Sequence, residues 1–129
     1  MVKEEILRKL FKAFPYAIIN RNLEFVAEPN PKINSYFILS GVKTEQQVQC
    51  KLLEWLSREA SSSLHYKNDI YNDKAHKYHR DGINSFLGTN FTHEDMELIY
   101  SKLGNGVNRE LTIKFIQSGF DMKILNAEN

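Results

Sequence analysis

YHRDGINSFLGTNFTHEDMELIYSKLGNGVNRELTIKFIQSGFDM, residues 78–122, divides itself into helices at its glycines. Gly88, Gly104 and Gly119 each follow an apolar-periodic run, the position where a helix ends in a left-handed residue and glycine carries no Cβ penalty. Thr92 to Leu103 forms one unit. Thr92 and Asp95 have capping-box spacing, although Asp is shorter than the usual Glu. Glu94, Asp95 and Glu97 suit the positive end of the helix dipole. Met96, Ile99, Tyr100 and Leu103 make a single stripe. Asn108 to Ser118 is the next unit, with Leu111, Ile113, Phe115 and Ile116 apolar. Phe120 to Leu125 reads as a strand or a docked tail, and residues 126–129 as a frayed end.

Working upstream, Asn68 to Leu87 forms a helix with Tyr71, Ala75, Tyr78 and Gly82 on one stripe. Before it, Thr44 and Gln47 have capping-box spacing and open a long central helix, Thr44 to Ala60. Val48, Leu52, Trp55 and Leu56 share one face there, with Cys50 and Leu53 on the other, so this helix packs between neighbours. The serines 61–63 read as a short polar linker. Near the N-terminus, Ile6, Leu7, Leu10, Phe11 and Phe14 recur at helical spacing over Lys3 to Phe14, until Pro15 stops the run. Tyr16–Ile19 and Leu23–Val26 are β-prone runs joined by Asn20-Arg21-Asn22, a turn whose Asn residues tolerate unusual backbone angles. Pro29-Asn30-Pro31 interrupts, and Ser35 to Leu39 is a third strand. The expected fold is α+β and predominantly helical: an N-terminal helix and a small antiparallel sheet, followed by four helices. One domain spans 1–129, with the helix and sheet in 1–43 and the helical part in 44–125.

Composition narrows the function classes. At 129 residues, 42% hydrophobic and 26% charged, the chain has ordinary globular proportions. A net charge of +1 gives no overall field favouring nucleic acid or anionic membrane. With Cys50 alone, no intramolecular disulfide forms, and a reducing cytosol is the expected setting. The acids at Glu4 and Glu5 argue against a signal peptide, and no apolar run is long enough to span a bilayer. The chain reads as soluble and cytoplasmic.

The densest polar region is 64–80. It supplies the candidate binding surface: Tyr66, Lys67, Lys74, His76, Lys77, His79 and Arg80. Asp69, Asp73 and His76 lie four and three residues apart on one helix face, a spacing that can ligate zinc. No fourth ligand and no His-Glu-x-x-His pattern accompanies them, and a solvated face with ion pairs explains the same residues. The bases could meet phosphates and the tyrosines could stack on nucleobases, but four bases over two acids is a small local excess. His79, beside the stripe through Ile83 and Phe86, is a general-base candidate or a structural histidine. Trp55 and Cys50 sit among core positions. The segment 104–106 lacks the lysine and the preceding strand of a phosphate loop. No catalytic constellation and no cofactor motif emerges, so the chain is expected to be non-enzymatic and to carry no cofactor.

The run quoted above, preceded by CKLLEWLSREA (50–60), resembles small uncharacterised proteins encoded by phages and prophages of low-GC Gram-positive bacteria, over roughly Tyr36 to Leu125. The resemblance carries no functional residue. It implies an accessory protein that acts by binding another protein, as an inhibitor of a host defence such as a CRISPR nuclease. The alternatives are a nucleic-acid-binding protein of phage replication and a metal-dependent enzyme.

Overall fold

A computed structural model describes residues 3–27, 38–66, 70–104 and 107–127, with backbone alone for 59–66, 70–76 and 127. The described elements are α1 (Glu4–Ala13), β1 (Ile18–Ile19), β2 (Phe25–Val26), β3 (Ile38–Leu39), α2 (Glu45–Tyr66), α3 (Ile70–Leu87), α4 (His93–Leu103), α5 (Arg109–Gln117) and α6 (Met122–Ala127). This is the expected α+β arrangement. The sheet order is β1-β2-β3, antiparallel throughout, with Ile18 opposite Val26 and Phe25 opposite Leu39.

The caps of the C-terminal helices are local. Thr92 Oγ1 accepts the Asp95 N–H at 3.2 Å, and Asp95 Oδ2 accepts the Thr92 N–H at 3.0 Å, so the shorter Asp still closes the box. Asn108 Oδ1 accepts the Leu111 N–H and caps α5. Gly119, at φ +77°, ends α5; the Gly119 N–H bonds the Ile116 carbonyl and the Phe120 N–H bonds that of Phe115. Those two bonds form a Schellman cap. At α2, Gln47 N–H donates to Thr44 Oγ1 while Gln47 Oε1 accepts the Thr44 N–H.

Two elements differ from the sequence reading. The central helix does not stop at Ala60 but runs through the three serines to Tyr66. Serine is only a modest helix former, yet it costs a fraction of a kcal/mol per position, about 0.5. That is too little to end a helix already nucleated over four turns. The terminal segment is helical: Asp121 Oδ1 accepts the Lys123 N–H at the start of α6, and Leu125 is fully buried.

One core joins the elements. α2 supplies Val48, Leu52, Leu53, Trp55 and Leu56, all buried, and it packs against α3, α4 and α5. Phe14, at the end of α1, is the joint. Its ring meets Phe25, Trp55 and Tyr78 edge-on, each at a centroid distance of 6.0 Å. It can do so because α3 carries Gly82 there: a Cβ at that position would overlap the Phe14 ring.

Candidate functional site

The hairpin is closed by side chains rather than by long strands. Asn20 N–H bonds the Glu24 carbonyl, and the Leu23 N–H bonds that of Asn20. Asn20 Oδ1 accepts the Asn22 and Glu24 N–H groups, and its Nδ2 donates to Glu24 Oε1 at 3.0 Å. The three-residue loop Arg21-Asn22-Leu23 therefore ends at the position that takes a left-handed residue. The sequence reading gave the unusual backbone angles to the asparagines; they fall on Leu23, at φ +61°. A branched side chain there costs roughly 1–2 kcal/mol. The side chain is also 69% exposed, so packing within the fold offsets little of that cost.

The hairpin is fastened to α3 by Tyr78. Its hydroxyl donates to the Ala27 carbonyl at 2.9 Å and accepts the Tyr16 N–H at 3.1 Å. The Tyr16 ring stacks on it at 5.3 Å and is itself 68% exposed. Among the described residues the exposed large hydrophobics are Tyr16, Ile18, Leu23 and Val107, and three of these four belong to the hairpin.

Between α1, the hairpin and the β3–α2 connection lies a groove of about 500 Å³. Leu7, Leu10, Ile19, Leu23, Phe25 and Val42 are among the residues that line it, with Asn22, Glu24 and Ser40 as polar members. That size falls within the range of ligand clefts. A second groove of about 310 Å³ is lined by Cys50, Arg109, Glu54 and Thr112, among others. Burial raises the Cys50 thiol above its ordinary pKa, and the Arg109 charge opposes this. The thiol is therefore protonated at neutral pH and a poor nucleophile.

The surface expected over 66–80 is only partly visible. Tyr66 is the last residue of α2, not part of α3. Lys67 and Asp69 lie outside the described residues, as do the side chains of Tyr66, Asp73, Lys74 and His76, so the metal trio lies there too. Lys77 is exposed and its Nζ bonds Asp81 Oδ2 at 2.6 Å. Arg80 is half-buried. His79, expected on the binding surface, is 1% exposed and belongs to the core, because its position follows the stripe of Ile83 and Phe86. Among the described residues no three His, Cys, Asp or Glu side chains cluster closely enough to hold a metal. No helix there is long and apolar enough to cross a membrane.

The sequence places the hairpin but not its exposed side chains, because a β-prone run such as Tyr16-Ala17-Ile18-Ile19 does not say which of its faces another element will cover. The strands shorten to two residues each in the structure, and nothing in the sequence marks that shortening. Compared with known protein families, curated proteins and solved structures, the chain matches none.

Proposed function

We propose that this is a non-enzymatic binding protein that acts by contact with another protein, and that the hairpin carries the contact. One observation supports the reading above all. Three of the four exposed large hydrophobic side chains among the described residues, Tyr16, Ile18 and Leu23, lie on one small unit beside a groove, and Val107 stands apart from them. Interfaces are enriched in aromatic side chains such as Tyr16, and clustered exposed apolar area marks interaction sites. The resemblance to phage and prophage proteins gives the context: an accessory protein of phage origin whose partner is a host or phage protein, with a CRISPR nuclease the first target to test.

Nucleic acid is the less favoured partner, since Asp81 neutralises Lys77 and the chain as a whole carries only +1. Phosphate-tracking surfaces show a stronger basic bias.

Affinity capture of the full chain from Gram-positive cells, read by mass spectrometry, tests the proposal. A stoichiometric protein partner is expected. Recovery of no protein, together with hydrolysis of a nucleic acid or ester by the purified chain, overturns it. Adding the chain to a guide-programmed CRISPR nuclease separates the narrower claim: undiminished cleavage at equimolar inhibitor removes that target and leaves the binding reading standing.

A further inference from the structure

We infer that the groove between α1 and the hairpin receives a segment of a protein partner that presents one large apolar side chain flanked by carboxylates, with Leu23 as the principal contact; this rests on the binding reading above. Three observations converge. Leu23 lines the groove, is largely exposed, and occupies a left-handed backbone position where glycine or asparagine would sit without strain. Strained residues that persist at a surface mark places where the side chain serves something other than the fold. The half-buried Leu7, Ile19 and Val42 extend the apolar wall around it, over a floor of buried Leu10, Phe25 and Leu39.

Charge selects the flanks of the partner. Residues 1–43 contain seven bases and four acids, while the remainder contains ten bases and twelve acids. The excess of bases therefore lies in the N-terminal third of the sequence, to which the lining residues of the groove also belong. Arg21 and Lys43, next in sequence to the groove residues Asn22 and Val42, are exposed and have no carboxylate within 4 Å among the described residues. Glu24, the acid in the lining, accepts a bond from the neutral Asn20 amide and keeps its charge, so the two cations outnumber it two to one around the groove. An anchor with acidic neighbours meets both the apolar wall and these two cations, whereas a basic segment is repelled.

Panning a random peptide library against the full chain tests this, with the enriched peptides then synthesised and titrated against Leu23→Asn and Arg21→Glu. Peptides sharing an aromatic or large aliphatic residue beside Asp or Glu are expected. Their affinity should fall at least tenfold in Leu23→Asn and several-fold in Arg21→Glu. Leu23→Asn should melt at or above the parent temperature, because asparagine tolerates the left-handed position. A merely structural Leu23 would instead lower the melting point and leave peptide affinity intact. Enriched peptides that are basic, or that bind both variants as tightly as the parent, overturn the inference while leaving protein binding in place. No enrichment overturns the inference, and the capture experiment then decides the binding reading by itself.

Discussion

The hairpin and the α4–α5 pair solve the same problem in opposite ways. Every end of α4 and α5 is closed by a residue within a few positions: Thr92 with Asp95, Gly104 with Tyr100, Asn108 with Leu111, Gly119 with Phe115 and Ile116. The hairpin has strands of two residues; Asn20 closes its turn locally, but its open end is closed from afar by one hydroxyl on α3. Locally closed elements hold their shape whatever their neighbours do. A remotely closed one is only as firm as its fastening, and it leaves side chains free for other uses.

The largest expected effect falls at Phe14, where the hairpin meets α2 and α3. Phe14→Ala removes a ring packed against β2, α2 and α3 and should cost about 3–5 kcal/mol, read as a lower urea midpoint. Gly82→Ala probes the same joint with a sign that discriminates. Helix propensity alone predicts a gain of about 1 kcal/mol. The approach of Phe14 predicts instead a loss of about 1–3 kcal/mol from overpacking. A rise in melting temperature would contradict the packing described for this joint.

Tyr78→Phe should come next, at about 1–3 kcal/mol, since it leaves the carbonyl of buried Ala27 without its partner, while the exposed Tyr16 N–H turns to water. The contrast between regions predicts where the damage appears. Amide exchange should quicken across the hairpin and stay unchanged in α4 and α5. Uniform quickening would show that the hairpin is not a separately fastened unit. Thr92→Ala is the converse experiment: a loss of about 1 kcal/mol, with faster exchange at the start of α4 alone.

The smallest effect concerns Cys50. Its folded pKa lies above the ordinary thiol value, so the folded state holds its proton more tightly than the unfolded chain. Stability from this source is fully present below the unfolded pKa and declines as pH rises through the folded one. Alkylation by iodoacetamide should be slower than for an unfolded peptide at pH 8 and should converge with it at high pH. Equal rates at pH 8 would mean that the thiol is not shielded.

Legibility followed the same division. The caps at Thr44, Thr92 and Asn108 and the stop at Gly119 were written in adjacent residues, and so was the core face with Trp55. The serines 61–63 misled because a polar triplet reads as a linker, while propagation of a formed helix depends on what precedes it. His79 drew attention as a titratable group, but burial is set by the stripe it joins, not by its own chemistry. The groove was invisible because its walls come from α1, the hairpin and Val42, which share no local pattern. Leu23 could be recognised as anomalous only once the register of its loop was fixed.

Tyr78 also imposes a schedule on biosynthesis. The two groups it fastens precede it by 51 and 62 residues. At roughly 5–20 residues per second, the hairpin is made roughly three to twelve seconds before its clasp. Until the clasp is made, the open end of the hairpin has no fastening to α3. Ribosome-arrested chains ending before and after α3 should differ in protease sensitivity at residues 16–27, and indistinguishable cleavage would show that the hairpin closes unaided.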